Sequence, residues 1–131
     1  MPDPSSHERA QAAIAWRTLL SRWKTAFNNR DTAAIVALFA HDALFQGLGP
    51  DLLVGSAAIR NYYENVPLHV KASVSGPEAH GISAETACGF ADVTFEIPGA
   101  PPRHIRLSFC CALRGGEWRI HSYHAAGLAQ G

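Results

Sequence analysis

The stretch Ile105-Arg106-Leu107-Ser108-Phe109-Cys110-Cys111-Ala112-Leu113 places an apolar residue at every second position. Successive side chains on a strand point to opposite faces, so this period of two predicts a strand with one face on a core. Working outward, Gly115-Gly116 signals a hairpin turn, and Trp118 to Ala126 follows as the last strand. On the other side, Pro98-Gly99-Ala100-Pro101-Pro102 reads as a turn. Before it lies a long strand, Ala84 to Ile97, in which Val93, Phe95 and Ile97 share a face with the small Ala87, Gly89 and Ala91. His69 to Ser75 is a further strand candidate.

Upstream of Pro67 the period becomes helical. Trp16, Leu19, Leu20, Trp23 and Phe27 recur at three- and four-residue steps, predicting one helix of about six turns. Ser5 and Glu8 have the spacing of a capping box at its start, and Asn28-Asn29-Arg30 ends it. Asp31 is placed to cap a short second helix with Ile35, Leu38 and Phe39 on its buried face. Asp42 to Gln46 reads as a short strand, broken by Gly47-Leu48-Gly49-Pro50. Gly55-Ser56 opens a third helix carrying Ile59, Tyr62 and Tyr63, and Pro67 prevents its continuation. The order ααβαββββ is an α+β layer fold, helices before a mainly antiparallel sheet. No repeat or linker interrupts it, so a single domain over residues 1–131 is expected.

Eleven Lys+Arg balance eleven Asp+Glu. Without surplus cations to collect phosphates, a general nucleic-acid binder or anionic-membrane binder is excluded. Charged residues make up 17% of the chain, below the usual quarter or so, which favours association between copies. The cysteines Cys88, Cys110 and Cys111 form no CxxC pair, and adjacent Cys110 and Cys111 point apart on a strand. Neither a metal site nor a cofactor is expected. The start, Met1-Pro2-Asp3-Pro4-Ser5-Ser6, has no basic and apolar regions of a signal peptide, and no apolar run reaches the ~20 residues of a membrane span. A cytoplasmic location is the expectation.

The run Asp31-Thr-Ala-Ala-Ile-Val-Ala-Leu-Phe-Ala-His-Asp-Ala-Leu-Phe45, followed by Gly55-Ser-Ala-Ala-Ile-Arg-Asn-Tyr-Tyr63, resembles the NTF2-like superfamily, with its SnoaL-like and cystatin-like-fold members. The likeness continues through Phe90-Ala-Asp-Val-Thr-Phe-Glu96 to Gly116-Glu-Trp-Arg-Ile-His-Ser-Tyr-His124. The ending is also similar to that of the calmodulin-dependent kinase association domain and of SgcJ/EcaC-type small proteins. The resemblance implies an NTF2-like cone: three N-terminal helices against a strongly curved sheet, an apolar pocket at its open end, and a homodimer formed through the outer sheet face. Ketosteroid isomerase, in the same superfamily, uses a carboxylate base with a tyrosine and a protonated aspartic acid as donors. The corresponding positions here fall on Gly47, Trp23 and the neighbourhood of Phe109, so that mechanism lacks its groups.

The candidate site residues follow from strand parity and from the aromatic stripe. On the last strand, His121 and Tyr123 share one face while Trp118, Ile120, Ser122 and His124 share the other. The core-like Trp118 and Ile120 argue for His124 inward, the isomerase pattern argues for His121 and Tyr123, and a β-bulge would decide. A histidine in the pocket would serve as acid, base or hydrogen-bond donor. His124, His121 and Tyr63 are therefore the candidate catalytic groups. Trp23, Phe27, Phe45, Tyr62, Phe95, Phe109 and Tyr123 are the candidate ligand-binding residues, with Gly89 and Ala91 leaving room for a small hydrophobic ligand. Asp92, Glu96, Arg103, His104 and Arg106 lie on or beside the polar face of the middle strands, a solvated or intersubunit surface. Asp92 would pair with His104 or His124 only if the register brought them together. Two functions fit: a small-molecule-binding protein, or a non-catalytic oligomerisation domain like the kinase association domain.

Overall fold

A computed structural model describes residues 4–128. The elements are α1 (Pro4–Asn28), α2 (Thr32–Ala37), β1 (Phe39–Gln46), β2 (Leu53–Val54), α3 (Ser56–Glu64), β3 (Lys71–Ser83), β4 (Thr86–Glu96), β5 (Arg103–Arg114) and β6 (Glu117–Gly127). One six-stranded sheet runs β2-β1-β6-β5-β4-β3, with β1 and β6 parallel and every other pair antiparallel. The helices cover one face of this curved mixed sheet, making an α+β cone. No helix among the described residues is long and apolar enough to cross a membrane.

The helical stripe is the core side of α1: Ala12, Trp16, Leu19, Leu20, Trp23, Ala26 and Phe27 are all buried. Trp16 stacks on Phe109 of β5 with ring centroids 4.3 Å apart, and its Nε1–H donates to the Phe109 carbonyl at 2.9 Å. At the other end of α1, the Asn28 side chain behaves like a strand neighbour. Its Nδ2 donates to the Ala72 carbonyl at 2.9 Å and its Oδ1 accepts from the Ala72 N–H at 2.7 Å. Asp31 caps α2 as expected, accepting from the Ala34 N–H at 3.1 Å. Ser5 does not precede α1. The helix begins at Pro4, whose missing N–H suits a first position, and the Ser5 hydroxyl accepts from Arg9.

Three expectations change. Phe39 belongs to β1, beside Ile120, because α2 ends at Ala37. The strand candidate expected to end at Ser75 begins at Lys71 and continues through Gly76-Pro77 to Ser83, with a register shift between Ser75 and Glu78 on this edge strand. The room at Gly89 is filled by protein: a Cβ there would meet the Trp16 ring at 2.6 Å and the Glu78 carbonyl oxygen at 2.5 Å. The glycine admits the indole, and no ligand space remains at that position.

Parity on the last strand is decided by a bulge. Cys110 pairs with Ser122 but Cys111 pairs with Ile120, so His121 is the extra residue. Ile120, Tyr123 and Ala125 all face the core as a result, with His124 exposed on the outer face.

Candidate functional site

A cavity of about 490 Å³ opens between α1, α3 and the concave side of the sheet. Its walls are largely apolar: Trp23 and Phe27 from α1, Phe95 and Ile97 from the end of β4, Ile105 from β5, and Tyr123 and Ala125 from β6. Tyr62, Tyr63, Asn61 and Asn65 come from α3 and its end, with Val66, Pro67 and Val70 beyond it and Leu48, Gly49 and Leu53 from the segment after β1 and the start of β2. None of these lining residues is Asp, Glu, His, Lys or Cys. The polar chemistry is supplied by phenols, amides and one guanidinium.

The phenols have an unusual balance of donors and acceptors. Trp23 Nε1–H donates to Tyr63 Oη at 2.9 Å, and the Leu48 N–H donates to Tyr62 Oη at 2.9 Å. Each oxygen is thus supplied with a donor, which leaves each hydroxyl hydrogen to find an acceptor. The neighbour for Tyr63 is another hydroxyl, that of Tyr123. Two hydroxyls sharing one bond still leave one hydrogen over. Burial pushes Tyr63 and Tyr123 well above the usual phenol range, against the lowering effect of the Trp23 bond on Tyr63. They are neutral donors near pH 7, not bases.

Gly47 makes the Tyr62 arrangement possible. A Cβ at that position would stand 2.3 Å from Tyr62 Cζ and Oη, so only a glycine lets the ring lie across the end of β1 and reach the Leu48 amide.

Six of the sequence-predicted residues meet in this cavity: Trp23, Phe27, Tyr62, Tyr63, Phe95 and Tyr123. Phe45 lies behind it, stacked on Tyr123 at 4.7 Å and edge-on to Tyr63 at 5.6 Å, so it holds those rings in place. Phe109 is occupied by Trp16, two turns of α1 away from Trp23. His121 sits in the bulge and His124 lies on the outer face in register with Ser108, and neither lines the cavity. Of the three candidate catalytic groups, Tyr63 alone lines it.

Sequence reasoning missed Asn61, Asn65 and Arg103. Arg103 shares its parity with Ile105, Leu107 and Phe109, a signal that was present but masked by the adjacent His104 and Arg106. The outer-face groups pair among themselves. Asp92 accepts from Arg106 Nε at 2.7 Å, a bond that lowers its pKa, and His104 meets Thr94 Oγ1 at 3.0 Å. No Asp92–histidine pair forms. Cys88 and Cys110 face each other across β4 and β5 with Sγ atoms 2.7 Å apart, and burial pushes Cys88 up to about 12. Among the described residues no group of three or more His, Cys, Asp or Glu side chains is placed to hold a metal ion.

Residues 20–121 match the family described as the SnoaL-like domain. Solved structures with the same fold include an uncharacterised cystatin-like-fold protein from Caulobacter vibrioides, at TM-score 0.80 and 19% identity, covering 91% of both chains. An NTF2-like protein of unknown function from Pseudomonas putida KT2440 aligns at TM-score 0.79 and 18% identity, over 89% of this chain and 87% of that one. The hexachlorocyclohexane dehydrochlorinase LinA-type3 from Novosphingobium barchaimii LL02 aligns at TM-score 0.79 and 16% identity, over 94% and 90%.

Proposed function

The chain belongs to the SnoaL-like family, and on that premise we propose that it binds a small, largely apolar molecule carrying a carbonyl or phenolic oxygen. The observation that carries this reading is the surplus of hydroxyl hydrogens. Tyr62 and the Tyr63–Tyr123 pair each offer one hydrogen that no group among the described residues accepts, at the wall of an apolar cavity of about 490 Å³. A ligand oxygen placed there accepts a bond that the fold leaves unmade, while apolar surface fills the rest. The dehydrochlorinase neighbour acts on hexachlorocyclohexane, itself a small apolar molecule, which supports the ligand class. The cavity lacks a general base, which favours binding over proton abstraction.

The test compares 1-tetralone with tetralin, its counterpart without oxygen, by tryptophan fluorescence and thermal shift. Tetralone should bind more tightly than tetralin. Equal affinity for both in the native protein, or no binding of either, would overturn the reading.

A second reading concerns the outer sheet face. Phe90 of β4 is 57% exposed, with Leu44 and Val54 exposed on β1 and β2. A chain of zero formal charge sets up little repulsion between its copies. We propose that this face pairs two copies of the chain, an arrangement compatible with ligand binding in each cone. Light scattering at micromolar concentration should give a dimer that Phe90→Glu dissociates. A native monomer refutes the pairing.

A further inference from the structure

The cavity has two polar ends of different character, and the outer one is cationic. Arg103 is the first residue of β5 and stands opposite Phe95 in the β4–β5 register. Counting by twos from Ile105, Leu107 and Phe109, it falls on the concave side of the sheet, and it lines the cavity at the exposed start of the strand. Arg106, three residues on, is held by Asp92 through two hydrogen bonds. The Arg103 side chain has no hydrogen bond or ion pair to any described residue, and it is the only ionised side chain among those lining the cavity. An arginine fork facing an apolar hollow without a carboxylate is complementary to an anion. Of the tyrosines, Tyr62 and Tyr63 come from α3, and Tyr123 of β6 stands opposite Phe109 in the β5–β6 register, six residues along β5 from Arg103.

We infer that the ligand is an amphipathic monoanion: a flat apolar body with a neutral oxygen towards the tyrosines and a carboxylate at the mouth beside Arg103. This rests on the small-molecule reading above and adds the second recognition point. The division of labour follows from exposure. The buried end discriminates by hydrogen bonds that are costly to leave unmade, whereas the guanidinium works at the solvent edge, where salt weakens it. An arginine there also repels cations, so amines of the same shape are disfavoured.

Three probes separate the contributions: 2-naphthol has an oxygen at one end, 2-naphthoate a carboxylate at one end, and 6-hydroxy-2-naphthoate has both. Titrations at neutral pH and low salt follow tryptophan fluorescence in the native chain and in Arg103→Ala, which removes an exposed side chain. The native protein should bind 6-hydroxy-2-naphthoate roughly tenfold more tightly than 2-naphthol, the range of one charge-assisted contact at a wet edge. Arg103→Ala should abolish that advantage while leaving 2-naphthol affinity unchanged, and molar salt should do the same. If 2-naphthol binds and the acid gains nothing, or if Arg103→Ala weakens both equally, the carboxylate assignment is overturned and the small-molecule reading stands. If none of the three binds, both are overturned.

Discussion

Replacing Gly89 by alanine tests the helix-to-sheet contact on which the cone depends. The new methyl would lie 2.5 Å from the Glu78 carbonyl oxygen and 2.6 and 2.7 Å from Trp16 Cε2 and Cζ2. Neither neighbour yields easily. The carbonyl belongs to the backbone of β3, and Trp16 is fully buried, stacked on Phe109 and hydrogen-bonded to its carbonyl. Overpacking a core of this kind costs about 1–3 kcal/mol. Displacing the indole leaves a buried N–H unpaired for about 1–3 kcal/mol more, and loses a stacking contribution of about 0.5–1.5 kcal/mol. Alanine returns about 0.5–1 kcal/mol through its smaller entropy loss. The net destabilisation is roughly 1.5–7 kcal/mol, against a total stability of about 5–15 kcal/mol for a domain. Urea unfolding should show it directly, and thermal unfolding should show a fall in Tm of roughly 6–28 °C, near 4 °C per kcal/mol at this chain length. In a Trp16→Leu background the same substitution should cost at least ~1 kcal/mol less, because the two sites share one space. A penalty under ~1 kcal/mol in the native background, or strict additivity in the double variant, would refute the claim that Trp16 occupies the room at Gly89.

Other outcomes follow from the same geometry. Asn28→Ala removes both bonds to Ala72 and should destabilise the chain by about 2–3 kcal/mol in urea unfolding, whereas a loss below ~0.5 kcal/mol would deny the clamp between α1 and β3. Burial pushes the Cys111 thiol from 9.0 up to about 12, so the unfolded chain ionises it first. Its contribution is complete below pH 9 and is lost as pH rises towards 12, with Tyr63 and Tyr123 acting in the same direction above pH 10. Stability should therefore be flat through neutral pH and fall above pH 9 by up to ~1.4 kcal/mol per pH unit for each such group, and a rise over that window would contradict the burial. His121→Ala and His124→Ala should each leave 1-tetralone affinity within about twofold of the native value, since both side chains lie outside the cavity. A tenfold loss in either variant would return that histidine to the site.

Local signals carried most of the fold, and long-range packing decided what they missed. The stripe from Trp16 to Phe27 and the alternation from Ile105 to Leu113 were readable because each period reports which residues share a face. Phe39 was not readable, because Ile35 to Phe39 fits a helix until one knows that β6 offers Ile120 as a strand neighbour. Gly76-Pro77 carries a turn signature, yet on an edge strand a proline and a register shift are tolerated. At Gly89 the sequence revealed smallness alone. The side chain that fills the space lies 73 positions earlier, at Trp16, and no local pattern relates the two. The aromatic half of the cavity was legible from the α1 and α3 stripes. Arg103 was legible by parity and obscured by its charged neighbours, and the phenol donor surplus required the distances to Trp23 and Leu48.

The extra residue at His121 behaves as a reading-frame shift written in side-chain direction. Upstream of it the even position Ile120 faces inward, and downstream the odd positions Tyr123 and Ala125 do. Deleting that one residue would leave Ile120, Tyr123 and Ala125 inward on a single frame, whereas pairing His121 regularly, with no bulge, would turn Tyr123 outward and His124 towards the hollow. One position thus holds two alternative interiors for the same eleven-residue strand, one offering a phenol and the other an imidazole. Loss of the bulge at constant length, without a single substitution, would exchange a phenol for an imidazole on the concave side of the sheet.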